Sequence, residues 1–284
     1  MRILVLGATG MMGSAVLRLL SETPDFIVYG SVRVPLSANL LPQQFHSMLL
    51  KDIDVGNSDS LVRVFESVRP NIVINCVGLI KQNSLAKNVL STIPINTLLP
   101  HRLAQLCAMS SARLIHLSTD CVFSGSKGMY TEDDTPDAID LYGLSKLLGE
   151  VDYPHAITLR TSVIGHELEG TRSLISWFLS QQGSVTGYTK AIFSGLPSVE
   201  IARLIRDHVI PRKDLHGLYH VSSEPINKFE LLNLVAKSYG KKIVIHPDSQ
   251  LVIDRSLDST RFRTATGFIP KSWPDLVQSM RDFH

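Results

Sequence analysis

The run Gly7-Ala8-Thr9-Gly10-Met11-Met12-Gly13 follows the apolar Ile3-Leu4-Val5-Leu6 directly and leads into a helical stretch from Ser14 to Leu20. Three glycines at intervals of three, set between a first strand and a first helix, leave few folds open. Glycine permits the tight turn and lets backbone N–H groups approach an anion, while the helix N-terminus adds its positive dipole end. The pattern predicts a βαβ start that cradles a dinucleotide pyrophosphate on Gly7, Thr9, Gly10, Met11, Met12 and Gly13. A glycine-rich turn without ligand is the plain alternative.

The chain continues as such a start requires. Apolar β-branched runs near Arg2–Leu6, Phe26–Val32, Ser47–Asp52, Ile72–Val77, Leu114–Ser118 and Ala156–Arg160 alternate with helical periodicity. This is the signature of an α/β fold, a Rossmann-type doubly wound parallel sheet. Leu61, Val64, Phe65 and Val68 form one helical face after the caps Asn57 and Ser58, and Pro100 is expected in the first turn of a helix holding Leu98 to Leu106 or at a kink in it. After about Gly165 the alternation loosens into a helix Ser173–Gln182, a turn-rich stretch to Pro197, a helix Val199–Val209, a strand Leu218–Ser222 and a helix opened by Asn227-Lys228-Phe229-Glu230. The expected division is a nucleotide-binding domain, 1–164, carrying the catalytic residues, and a smaller C-terminal α/β substrate lobe, 165–284, with the chain free to cross between them.

Composition narrows the partners. The 284 residues, 44% hydrophobic and 19% charged, suffice for a sizeable core, and no stretch approaches the apolar length of a membrane span. A net charge of +2 without a basic, aromatic-rich run argues against nucleic acid. Cys76, Cys107 and Cys121, odd in number and without a C-x-x-C pair, fit reduced thiols in a cytoplasmic protein. The ten histidines form no H-E-x-x-H, so no metal site is expected.

An NAD-binding sheet usually places an acid about twenty residues past the glycines to hold the ribose 2′-hydroxyl. Here Ile27 to Leu50 contains no Asp or Glu, and Ser31 and Arg33 stand at the end of the second strand. A guanidinium suits a 2′-phosphate, which favours NADPH over NADH; a plain surface arginine is the alternative. Further on, Tyr142-Gly143-Leu144-Ser145-Lys146 puts a phenol and an ammonium on one helix face, where the positive charge is expected to draw the phenol pKa toward working pH and the lysine to reach the nicotinamide ribose. Ser118-Thr119-Asp120 closes a strand at the end where such sheets bind ligands, so Thr119 is placed to hydrogen-bond a substrate carbonyl, or to cap its own loop.

The glycine loop, Asn75-Cys76-Val77-Gly78, Ser118-Thr119-Asp120 and Tyr142-x-x-x-Lys146 together resemble the extended short-chain dehydrogenase/reductases. Within them, Arg69-Pro70-Asn71-Ile72-Val73-Ile74-Asn75, Leu117-Ser118-Thr119-Asp120-Cys121-Val122-Phe123, Leu159-Arg160-Thr161-Ser162 and Gly217-Leu218-Tyr219-His220 look most like the dTDP-4-dehydrorhamnose reductase family, over nearly the whole chain. The resemblance implies a catalytic set of Thr119, Tyr142 and Lys146. It also implies that Asp54-Val55 lies near the adenine, that Cys76, Val77 and Gly78 line the cofactor, and that Asn96 supports the active-site helix. The implied substrate is a nucleotide sugar, a 4-keto-6-deoxyhexose reduced at C4, met by Thr119, Asp120, Cys121 and, as a pyrophosphate ligand, Arg255; the implied protein is a monomer or homodimer. Cys121 replaces the family's usual aromatic, Arg160-Thr161-Ser162 lacks its frequent following tryptophan, and both are expected toward the substrate. A UDP-linked or 2-acetamido sugar therefore stays open. So do an epimerase or dehydratase of the same superfamily, with Asp120 beside the catalytic hydroxyl, and a non-catalytic NADP-binding regulatory subunit, as in methionine adenosyltransferase.

Overall fold

The computed structural model describes residues 1–81 and 87–284. Up to Ile164 the chain runs β1 (Arg2–Leu6), α1 (Met11–Ser21), β2 (Ile27–Ser31), β3 (Leu49–Leu50), α2 (Ser58–Val68), β4 (Ile72–Asn75) and α3 (Val89–Thr92). A π-helical turn, Ile93–Leu98, joins α3 to α4 (Leu99–Met109), which is followed by β5 (Arg113–Thr119), α5 (Leu141–Leu147), β6 (Ala156–Thr161) and β7 (Val163–Ile164). Beyond lie α6 (Leu174–Ser180), β8 (Ser184–Tyr188), β9 (Ala191–Phe193), β10 (Leu196–Pro197), α7 (Ser198–Leu204), β11 (Gly217–His220), β12 (Ile226–Asn227) and α8 (Lys228–Tyr239). The chain closes with β13 (Val244–Asp248), β14 (Ile253–Asp254), α9 (Thr260–Thr266) and α10 (Trp273–Asp282).

Seven strands form one parallel sheet in the order β11-β6-β5-β4-β1-β2-β3. Ile3, Leu4, Val5 and Leu6 are all fully buried, as a central parallel strand covered on both faces demands. Two cores result. Ile3, Val5, Leu17, Leu20, Ile74 and Ile115 pack on one face with the α7 and α10 side chains, and Leu4, Leu6, Leu61, Phe65, Val73, Leu99 and Leu103 pack on the other.

Helix α2 shows how local sequence sets an element. Asn57 Oδ1 accepts from the N–H groups of Asp59 and Ser60, at 2.9 and 3.1 Å, and starts the helix. Leu61, Val64, Phe65 and Val68 are its buried stripe, each contributing about 1.5–3 kcal/mol on burial. Arg69 then turns left-handed at φ 46° and Pro70 prevents continuation. Pro100 lies in the first turn of α4, directly after the π-helical turn Ile93–Leu98, where the helical bonding pattern already changes and the ring is accommodated.

Three expectations need correction. The strand expected over Ser47–Asp52 shrinks to Leu49–Leu50, because Gln43–Met48 wind into a 3₁₀ turn. The turn-rich stretch before Pro197 contains β8, β9 and β10, short strands whose partners lie far along the chain: Val185 opposite Ile245, Phe193 opposite Ile226 and Leu196 opposite Val163. The strand expected over Leu218–Ser222 runs instead from Gly217 to His220 and joins the main sheet beside β6. Among the described residues no helix is long and apolar enough to cross a membrane.

Candidate active site

The carboxyl ends of β1, β2, β4 and β5 converge on one edge of the sheet, where the strand order turns back on either side of β1 and where doubly wound folds bind ligands. Gly7 sits at φ +80°, and a methyl group on Gly13 would overlap the Gly7 carbonyl. Only glycine lets α1 start this close to β1. Ser31 braces the turn from β2: its Oγ accepts from Gly7 N at 3.0 Å and its carbonyl accepts from Ala8 N at 3.0 Å. Gly10, the N-cap of α1, has no side chain to cap the first turn, which leaves a helix start suited to a phosphate. Thr9 is half-exposed beside Gly10; Met11 borders Gly165, and Met12 is buried beneath the helix.

Arg33 is exposed just past β2, and Asp54 and Val55 follow β3, the first exposed with its carboxylate on Gly56 N, the second buried in the core. Past β4, the Asn75 side-chain oxygen accepts from Val77 N at 3.1 Å, bending Cys76-Val77-Gly78 across the cleft against Gly7.

Thr119 ends β5 and starts a 3₁₀ turn, Asp120–Val122. Its Oγ1 accepts from Cys121 N and donates to Asp120 Oδ1, both at 3.2 Å, so the residue does cap its loop. Helix α5 is capped by Asp140, which accepts from Gly143 N at 2.9 Å, and Gly143 lies so close to the Cys121 carbonyl that any Cβ would collide with it. That contact holds Tyr142 against Thr119. Asn96, fully buried in the π-helical turn, accepts from Leu79 N at 2.8 Å and donates to Leu79 O and Ser145 Oγ at 3.0 and 3.1 Å. It ties the loop after β4 to α5 between Tyr142 and Lys146.

Electrostatics differ from expectation at the Tyr–Lys pair. Lys146 Nζ donates to the Leu117 carbonyl at 2.7 Å, and burial lowers the ammonium to about 8 against the opposing pull of Glu150 and Cys76. The half-buried Tyr142 phenol is pushed above its ordinary value, by burial first and by the neighbouring Cys121 next, while its interaction with Thr119 pulls the other way. Lys146 does not draw the phenol down, because the Leu117 carbonyl holds it. Tyr142 is a protonated acid at neutral pH. Burial likewise raises the Asp120 carboxyl, opposed by Arg255 and Lys228, and pushes the Cys76 and Cys121 thiols up to about 12 and about 11.

Arg255 reaches this turn, with Nε donating to the Phe123 carbonyl at 2.8 Å and Nη1 3.8 Å from Cys121 Sγ. The Arg160-Thr161 pair, expected toward the substrate, points into the core. Arg160 forms a two-pronged ion pair with Glu150, at 2.7 and 2.6 Å, and touches His220 at 3.2 Å. Sequence reasoning missed Lys81, bonded to Asp140 Oδ2 at 2.7 Å beside the Tyr142 ring, and Lys228, which faces Asp120. Asp140 as a helix cap two residues before Tyr142 was a readable signal; Lys228 left none. Buried His116 accepts from Asn75 through Nδ1 at 3.1 Å, while among the described residues its Nε2 has no partner. Among the described residues no three His, Cys, Asp or Glu side chains gather as a metal site.

A glycine cradle on a doubly wound sheet, with a strand-end hydroxyl and a Tyr–Lys helix at the same edge, defines an oxidoreductase of the extended short-chain dehydrogenase/reductase class. The chain belongs to the RmlD substrate binding domain family, whose model matches residues 1–282. It is 24% identical to a dTDP-4-dehydrorhamnose reductase of Aggregatibacter actinomycetemcomitans, with 99% of both chains covered. It is also 26% identical to methionine adenosyltransferase 2 subunit beta of Danio rerio, over 84% of this chain and 74% of that one. Its fold matches the crystal structure of dTDP-4-dehydrorhamnose reductase from Bacillus anthracis in complex with NADP at a TM-score of 0.80 and 20% identity, covering 100% of this chain and 99% of that one.

Proposed function

We propose that the protein is an NADPH-dependent reductase of the C4 ketone of a nucleotide-linked 4-keto-6-deoxyhexose. The observation that carries this reading is the meeting of Thr119 and the protonated Tyr142 phenol, with Lys146 buried behind them, beside the glycine cradle. NADPH supplies the hydride. The Thr119 hydroxyl, turning its one proton from Asp120 to the substrate, donates a hydrogen bond to the ketone oxygen, and Tyr142 gives its proton to that oxygen as the carbonyl carbon is reduced, so the product is the C4 alcohol. Lys146, fixed by its bond to the Leu117 carbonyl, holds the nicotinamide ribose. Gly7, Thr9, Gly10, Met11, Met12 and Gly13 hold the pyrophosphate; Arg33 meets the 2′-phosphate; Asp54, Val55, Cys76, Val77, Gly78 and Asn96 line the rest. Residues 165–284 bind the sugar nucleotide together with Asp120, Cys121 and Arg255, and the protein works as a monomer or homodimer. The dTDP-sugar reductases among its relatives favour a dTDP substrate, and Cys121 in place of a bulky aromatic leaves room for a UDP-linked or 2-acetamido sugar.

The test is NADPH oxidation with dTDP- and UDP-linked 4-keto-6-deoxyhexoses, including 2-acetamido forms, with the product identified by NMR. One alcohol per NADPH is expected, and Tyr142→Phe lowers turnover by about 10²–10⁴-fold while NADPH binding persists. Tight NADPH binding with no turnover across the panel replaces this reading with that of a regulatory subunit.

A further inference from the structure

The small sheet β12-β9-β14 brings two cations to the Asp120–Cys121 turn. Its central strand pairs Phe193 with Ile226 on one side and Ile192 with Asp254 on the other. Arg255, just past β14, donates its N–H to the Ile192 carbonyl at 3.1 Å and reaches Phe123. Lys228, the first residue of α8 past β12, lies with its ammonium 3.6 Å from the centroid of the Phe193 ring. That ring packs against one side of the ammonium and offers no acceptor lone pair. Among the described residues Lys228 has neither a hydrogen-bond acceptor nor a direct ion pair. Burial lowers it to about 8, and the Asp120 carboxylate, which faces it without direct contact, holds its charge up.

Asp120 accepts from Thr119 Oγ1, so it stands next to the hydroxyl assigned to the substrate ketone. A carboxylate and an ammonium that face each other across a gap are complementary to one kind of group, an oxygen that donates to the first and accepts from the second: a hydroxyl. With the ketone on Thr119, whose hydroxyl bonds to Asp120, the substrate atoms brought toward the Asp120–Lys228 gap are those of a ring carbon adjacent to the ketone. We propose that Lys228 is a specificity-determining residue which, with Asp120, grips a hydroxyl on the ring carbon next to the ketone. This rests on the reductase reading for the position of that ketone.

The experiment pairs Lys228→Met with a dTDP-4-keto-6-deoxyhexose and its analogue lacking the C3 hydroxyl. The wild type is expected to prefer the hydroxylated sugar by roughly tenfold to hundredfold in kcat/KM, the strength of a hydrogen bond to a charged group. In Lys228→Met that preference collapses to near unity, with NADPH affinity within twofold of wild type. Lys228→Gln, which retains a donor, keeps part of the preference. A variant that loses the same factor on both sugars and keeps the wild-type preference overturns the proposal, and so does a parallel loss of NADPH affinity. If the wild type turns over neither ketone, the reductase reading fails by itself. Lys228 is then judged by calorimetric affinities of the same two sugars for the NADP⁺-loaded protein: the same collapse upholds the assignment, and an unchanged preference or binding of neither sugar overturns it.

Discussion

Tyr142 and Lys146 carry opposite shifts from one cause, burial, and the pair is thereby divided into an acid that keeps its proton and an ammonium that is close to losing it. The ammonium form of Lys146 exists below its value of about 8, so kcat/KM is expected to fall through pH 8 and by about tenfold per unit above it. The sign for stability is opposite. The folded-state value lies below the ordinary 10.5, so this lysine opposes folding most below pH 8 and ceases to do so by about 10.5. Loss of activity over that window therefore reports deprotonation rather than unfolding. Lys228 also titrates near 8, so the profile is measured in Lys228→Met as well, where the same falling limb is expected; a flat profile to pH 10 in both proteins contradicts the assignment to Lys146. Arg33 acts through its guanidinium alone. Arg33→Ala is expected to weaken NADPH by roughly tenfold to hundredfold and NADH little, and equal losses for both cofactors remove it from the 2′-phosphate site.

At the scale of elements, the site depends on how α5 is docked. Asn96 binds both backbone groups of Leu79 and the hydroxyl of Ser145, so Asn96→Ala strands several buried polar groups at once. A loss of about 1–3 kcal/mol is expected in urea unfolding of the ligand-free protein, together with a lower kcat, since Tyr142 and Lys146 flank Ser145. Unchanged stability would show that α5 is held by other means. The local signals for such elements were legible. Asn57 and Asn227 cap α2 and α8 through the bonds their spacing predicts, to Ser60 N and Glu230 N. Strand β8 was not legible, because its Val185 is half-buried by a strand partner, Ile245, and by core residues that no window around it contains.

Across the whole molecule, a buried polar chain links the two halves. Ser118 and Arg160 both bond to Glu150, Arg160 continues to His220 in β11, and the His220 N–H and Nδ1 engage Glu132 and the Tyr130 carbonyl. With side chains only 4% and 11% exposed, Arg160 and Glu150 need one another. Arg160→Met, which leaves a buried carboxylate without its counter-ion, is expected to cost about 3–5 kcal/mol in denaturant unfolding, and adding Glu150→Met is expected to restore much of it. A single variant within 1 kcal/mol of wild type would show that the pair is solvated enough to be dispensable. The arrival of β11 beside β6 makes this link possible, and it places chain from beyond Ile164 inside the seven-stranded sheet.

The sequence by itself determined the glycine turn, the parallel α/β sheet, the caps of α2 and α8 and the Tyr142–Lys146 face, because each is a matter of backbone sterics or of residues a few positions apart. Only the tertiary structure decided which carbonyl holds Lys146, that Arg160 turns inward, and that Lys228 and Arg255 meet Asp120 and Cys121. Those outcomes depend on burial and on contacts between residues distant in the chain, and neither leaves a periodicity in the local sequence.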